Sequence, residues 1–253
     1  MRLFHYTSLN TFLEFIMKHK TLRTNNLNTM NDPREAERWA FGGTNVPYSE
    51  LFPVFYSEDT HIECQFRLGQ MIKDRFQVMC FSGAQHNGWD NEMMWAHYAD
   101  RQRGICLEFD EQELITGLLE QYPETTYYMQ NVNYLKKQKD GPWLEWNQGE
   151  DMDWNFKQIQ LNHYSRLIFH KSHFWEKEDE RRLLVFGDQH VYLPIEKALK
   201  AVHVGIGCHH SYIHAVHQMI KETEVRLYGM VYQHDRYERW LLKKVGDRFR
   251  SYS

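Results

Sequence analysis

The sequence predicts an α+β protein, a single domain with a mixed, mainly antiparallel sheet core and peripheral helices. Three observations predict it. Short apolar runs of strand character at 2–6, 76–81, 104–109 and 201–206 alternate irregularly with helical segments, without the regular βαβ order of a parallel sheet. Two apolar stretches, 225–232 and 239–246, flank a turn at His234-Asp235-Arg236 and read as a hairpin. No repeat, low-complexity tract or long linker divides the 253 residues, a length that supports a sizeable core.

After the first strand, Ser8 is placed to cap a helix whose apolar residues Leu9, Phe12, Leu13, Ile16 and Met17 share one face. Thr21 to Thr24 form a short strand, and the turn formers from Asn25 to Pro33 follow. Asp32 and Pro33 are suited to start a helix, with Glu35 and Glu37 favoured by its N-terminal dipole. Residues 48–74 read as helical, broken near Pro53, and 82–91 as a loop. Helices are expected at 91–99, 111–121, 154–170 and 211–223, the last capped by Ser211, and a strand at 126–135. Residues 136–153, with Lys136, Lys137, Lys139 and, after Gly149, the acids Glu150, Asp151 and Asp153, read as an exposed loop.

Composition narrows the function. A net charge of −4 argues against sequence-independent nucleic-acid binding over the whole surface, while leaving room for a local basic groove. No apolar run is long enough to span a bilayer. Cys64, Cys80, Cys106 and Cys208 form no CxxC pair, and Cys80 and Cys106 read as buried free thiols. With a strand-like pattern from Met1 and no leader pattern, a cytoplasmic location is expected. Aromatics at 15% fit a densely packed core, a stacking surface, or both.

The most informative stretch is Lys171 to Phe186, where a dense charge run feeds into an apolar strand. A carboxylate carried into a protein interior needs a partner or a function. In an extended chain Glu178, Glu180 and Arg182 share one face. They form either a self-compensating ion network or part of a site, with Glu180 the favoured catalyst. His210, His214 and His217 have zinc-compatible spacing on one helical face, but no Cys or acidic pair completes a set, so no metal is expected. Trp95 reads as core and Trp175 as a packing anchor, with Glu176 and Lys177 as solvated charge.

Several motifs occur in order along the chain: His5-Tyr6-Thr7-Ser8, Met30-Asn31-Asp32-Pro33 with Glu35, Cys80-Phe81-Ser82, and Met94-Trp95-Ala96-His97-Tyr98-Ala99. Gly104-Ile105-Cys106-Leu107-Glu108-Phe109, Val132-Asn133-Tyr134, Trp175 with Glu178-Asp179-Glu180-Arg181-Arg182-Leu183, and Val204-Gly205-Ile206-Gly207 follow. Together they resemble the bacterial family of domain of unknown function 2971. More distantly, His5-Tyr6-Thr7 after the first strand, Ser82 at a strand end and Glu178-x-Glu180 before a strand resemble ADP-ribosyltransferase-like domains. The aromatic those domains carry on the strand near Leu22 is missing here. Asn31-Asp32-Pro33 has no counterpart there and reads first as a turn.

That second resemblance implies an NAD-dependent ADP-ribosyltransferase, a glycosyltransferase acting on a macromolecular acceptor, as a toxin or phage-defence effector. Under it, Glu180, assisted by Glu178 and Arg182, stabilises an oxocarbenium-like transition state. His5, Tyr6, Thr7, Asn31, Ser82 and Tyr98 hold NAD, Tyr98 supplying the ring that stacks on nicotinamide. Protein, RNA and DNA remain open as acceptors. The alternative is a non-catalytic module that binds a nucleotide, nucleic acid or protein in the same cleft.

Overall fold

The computed structural model describes residues 1–32, 35, 60–83, 88–136, 152–245 and 248–252. The side chains of 60–65, 244–248 and 251–252 are not described. The expected features at Pro33, Glu37, 48–59 and Lys137 to Lys139 lie outside these residues.

The fold is α+β, as expected. Its main sheet runs β14-β13-β12-β11-β5-β1-β4-β9-β6, with β3 paired to β4. The strands are β1 (Arg2–Thr7), β3 (Asn25–Asn26), β4 (Phe76–Ser82), β5 (Ile105–Asp110), β6 (Tyr127–Asn131), β9 (Glu180–Phe186), β11 (Leu199–Val204), β12 (Arg226–Gln233), β13 (Arg236–Val245) and β14 (Arg248–Tyr252). All neighbours are antiparallel except β11 and β12. Two small sheets join β2 (Thr21–Arg23) to β10 (Tyr192–Pro194), and β7 (Asn133–Leu135) to β8 (His170–Ser172).

The period-two alternation of the strands sorts the core onto the two sheet faces. Leu3, Met79, Phe81, Leu107, Leu183 and Val185 belong to one cluster, which also takes Phe12, Ile16, Leu114, Leu118, Val216 and Ile220 from helices. On the other face, Phe76, Val78 and Leu184 pack with Phe156, Ile168 and Phe169, while Phe4, Tyr6 and Cys106 pack with Trp95. Trp95 is fully buried, as its core reading requires. Among the described residues no helix is long and apolar enough to cross a membrane.

Local chemistry accounts for most boundaries. Ser8 caps its helix by accepting from the Thr11 backbone N–H at 3.1 Å. That helix passes through a π turn at Phe12–Ile16 before ending at a left-handed Lys20. Asn91 caps Glu92–His97, and Asp110 caps Glu111–Gln121. In the C-terminal hairpin Gln233 pairs directly with Arg236, so the turn is His234-Asp235 alone, both at positive φ. Such a two-residue turn matches the right-handed twist of the flanking strands.

Some expectations change. His5 lies on a central strand, between β5 and β4. The strand expected at 126–135 divides at Val132, whose N–H turns to the Glu180 carbonyl. The helix expected at 154–170 begins at Met152, passes through a π turn at Ile159–His163, and ends at Ile168. Its exit places His170–Ser172 beside β7. His209, not Ser211, caps Met219's helix, His210–Ile220. Strands β10 and β14 were not anticipated.

Candidate functional site

The site forms where the main sheet parts. Strands β4 and β9 pair along seven positions, from Phe76↔Phe186 to Ser82↔Glu180. Strands β1 and β4 share only Phe4↔Ser82. A cavity of about 190 Å³ opens between them. Tyr6 and His5 line it from β1, and Cys80 from β4, with Tyr98, Asn31 and the charged residues Glu35, Lys171, Glu178, Glu180 and Arg182. An apolar cavity of roughly 150 Å³ holds benzene, so this one takes a single ring-sized group and not a whole dinucleotide.

Strand register sets the charges in place. Cys80 is opposite Arg182 and Ser82 opposite Glu180, so all four side chains share the sheet face on which the cavity opens. Glu178 arrives differently. It ends the 3₁₀ helix His173–Glu178, and Asp179 reverses the chain in a left-handed conformation before β9 begins. The shared face expected from an extended segment is therefore replaced by a turn. The Ser82 hydroxyl donates to the Glu178 carbonyl at 2.7 Å and fixes that turn.

Arg182, with no exposed surface, donates to both Glu180 oxygens at 2.7 and 3.1 Å. Its Nη1 also donates to Glu35 Oε1 and to the Ile168 carbonyl. Lys171 Nζ lies 2.7 Å from Glu178 Oε2 and 3.0 Å from Glu180 Oε2. The remaining Glu178 oxygen accepts from the Tyr98 hydroxyl at 2.6 Å. Tyr134, from the strand after Val132, accepts from the Glu180 backbone N–H at 2.9 Å. Three carboxylates thus face two cations, and every Glu178 and Glu180 oxygen has a partner.

One oxygen differs. Among the described residues Glu35 Oε2 has no hydrogen-bond partner; it is buried and belongs to a cavity-lining residue that is 2% exposed. Burial raises the Glu35 pKa, with Arg182 and Lys171 only partly opposing it. Glu180 goes the other way, to about 2: burial opposes its ionisation, but Arg182 and Lys171 together outweigh it. Two neighbouring carboxyls driven apart in this way are the usual mark of divided acid and base roles. Burial lowers the pKa of His5, which is therefore neutral at pH 7, its Nδ1 3.1 Å from the Cys80 carbonyl. Burial foremost, then the nearby Glu180 charge, raises the Cys80 thiol well above the usual range.

Of the residues singled out by sequence, Glu178, Glu180, Arg182, His5, Tyr6, Asn31 and Tyr98 line this one cavity. Ser82 sits behind it, holding Glu178. Thr7 is buried but outside the lining. Tyr6 lines the cavity while its hydroxyl donates to the Gly88 carbonyl. Sequence reasoning missed Lys171 and the role of Glu35. The sequence places Glu35 at a helix start and within a family motif, but gives it no place in the site. Trp175 packs with its ring 5.3 Å from Lys171 Nζ, and Glu176 and Lys177 are exposed. The His-rich helix sits elsewhere: His214 and His217 pack edge-on against Phe249.

No curated protein and no solved structure matches the chain. Residues 94–183, from Met94 in the Trp95 helix to Leu183 in β9, match the family described as a protein of unknown function, DUF2971, the family that the motifs of the sequence resemble.

Proposed function

We propose that this cavity is the active site of an NAD-dependent enzyme of ADP-ribosyltransferase type, taking the nicotinamide end of NAD as substrate. The observation that carries the reading is the meeting of His5, Tyr98 and the ionised Glu180 with an unpartnered Glu35 oxygen around space for one ring. Neutral His5 and Asn31 offer hydrogen bonds to a ribose or carboxamide. The Tyr98 ring offers a stacking face. As the C1′–N bond breaks, its electron pair neutralises the pyridinium and nicotinamide leaves. Positive charge then develops on the ribose beside Glu178 and Glu180, whose geometry is fixed beforehand by Lys171 and Arg182. The acceptor forms its new bond to C1′, and its proton passes to Glu35 Oε2. A carboxyl with a raised pKa is suited to take that proton near neutral pH. Such an enzyme modifies macromolecules at the expense of NAD in the cytoplasm, which suits a toxin or defence effector.

Mass spectrometry of nicotinamide released from NAD tests this. Release by the wild type, reduced by about 10²–10⁴-fold in Glu35→Gln, is the expected result. No release by the wild type, or release by Glu35→Gln and Glu180→Gln equal to that of the wild type, overturns it. A second reading, a binding module without turnover, draws on the complete occupation of Glu180 by Arg182 and Lys171. Calorimetric binding of NAD without nicotinamide release would favour it.

A further inference from the structure

The cavity carries an imbalance of charge. Among the described lining residues, the carboxylates Glu35, Glu178 and Glu180 face two cations, Lys171 and Arg182. His5 adds no charge at pH 7, because burial lowers its pKa. Arg182 is engaged by Glu180 and Lys171 by Glu178, each at 2.7 Å. Arg182 also reaches Glu35 Oε1, but Glu35 Oε2 has no hydrogen-bond partner among the described residues. The excess negative charge is therefore located on one buried carboxylate at the cavity wall. An uncompensated charge in a protein interior is costly unless a partner arrives or the group takes a proton.

The rest of the lining suits a partner of one kind. Phe4, Tyr6 and Tyr98 bring aromatic rings to the same space. An aromatic face attracts a cation, most strongly where water is excluded. The free volume of about 190 Å³ takes one ring-sized group. Charge and size together call for a ring with a single positive charge. A ring carrying a carboxylate would add a fourth negative charge, and a neutral ring would leave the third unmatched.

We infer that the cavity selects a ring of single positive charge and that Glu35 is the residue that makes the selection. The inference rests on the proposed function only in naming that ring, the oxidised pyridinium of NAD. The reduced dinucleotide, whose nicotinamide ring is uncharged, is then excluded. Charge in the cavity also stays balanced through the proposed reaction. Positive charge moves from the pyridinium to the ribose as the C1′–N bond breaks, and the proton that Glu35 later receives replaces it. Neutral nicotinamide is held less tightly than the cation it came from, which favours its release.

Calorimetry without NAD tests it, using three probes of one shape: the 1-methylnicotinamide cation, neutral 3-methylbenzamide and anionic 3-methylbenzoate. At pH 8 the cation should bind about tenfold or more tighter than the neutral probe, and the anion not measurably. In Glu35→Gln, which keeps the shape of the side chain, the preference should shrink to about twofold or less. Glu14→Gln, at an exposed position of the first helix, removes the same unit of charge and should keep the preference. The pH dependence of the wild type gives a second measurement that needs no variant. Burial raises the Glu35 pKa, so protons compete with the cation there as pH falls. Of the groups around it, Arg182, Lys171 and Glu180 keep their charge near neutral pH. Cys80, Tyr6 and Tyr98 keep their protons, His5 resists taking one, and Glu178 is held by Lys171 and Tyr98. Affinity for the cation should therefore fall from pH 8 to pH 5.5 while that for 3-methylbenzamide holds. Equal binding of the cation and the neutral probe, binding of neither, an unchanged preference in Glu35→Gln, its loss in Glu14→Gln, or a flat pH profile overturns the inference. Because no turnover is involved, selection of the cation without nicotinamide release leaves this inference standing and overturns the enzyme, and release without selection does the reverse.

Discussion

At the scale of single residues, Arg182 is the pivot. It is buried, and it is bonded to the Glu180 and Glu35 carboxylates and to the Ile168 carbonyl. A buried ion network is not strong evidence of net stabilisation, because desolvation offsets much of the attraction. Removing one member is different, since the partners are then left charged and unpaired in a low-dielectric interior. Arg182→Ala should therefore cost about 3–5 kcal/mol, read as a lower urea midpoint. Arg182→Ala combined with Glu180→Gln should cost less than the sum of the two single changes, because the unpaired charge is gone. Strict additivity in that cycle would show that the pair is not coupled.

At the scale of elements, the positions that matter are close approaches between segments. Gly205 follows β11 and donates its N–H to the Gly104 carbonyl at 3.0 Å. A Cβ there would run into the Gln102 carbonyl and the Trp95 ring. Residues Asp100, Arg101 and Gln102 all take positive φ, so the loop that presses on Gly205 is already tightly constrained. Gly205→Ala should thus lower stability by about 1–3 kcal/mol, the usual scale of overpacking. For a chain of this size that is a fall of roughly 2–4 °C in Tm per kcal/mol, readable by calorimetry. An unchanged Tm would show that the loop yields freely. The same contact gives Val204-Gly205-Ile206-Gly207 a physical meaning: it is where the Trp95 helix, its following loop and β11 meet.

At the scale of the whole molecule, charge burial sets the response to pH. Glu180 and Glu108 both ionise with pKa about 2; burial alone would raise each, and their basic partners overcome it. Both values lie below the unfolded value of about 4.3. Their contribution is complete above that value and is lost as pH falls toward 2. His5 and His203 have lowered pKa values through burial, so the unfolded chain takes up protons there first, and stability begins to fall below about pH 6.5. Glu35 has a raised pKa; its contribution is present at low pH and is lost as pH rises through its folded value. Urea midpoints measured from pH 8 down to pH 3 should decline in two stages, the later one reduced in Glu108→Gln. A flat profile would contradict the buried network.

How much of this was readable in the chain divides along physical lines. Periodicity and turn chemistry are local, and they placed the helix at Glu111–Gln121, the start of the helix at Glu92–His97 and the C-terminal hairpin within a residue or two. The α+β class followed from irregular alternation, and the anomaly of Lys171 to Phe186 was visible because buried charge is rare in any sequence. Register and long-range pairing are not local. The sequence could not show that β1 touches β4 at a single position, yet that parting makes the cavity. Nor could it show that Lys171 reaches back to two glutamates seven and nine positions on, or that Glu35 meets Arg182 across 147 residues. The residue types near the site were determined by the sequence itself. Which carboxylate is locked and which has a free oxygen was decided only in three dimensions, because partners distant along the chain set the electrostatics.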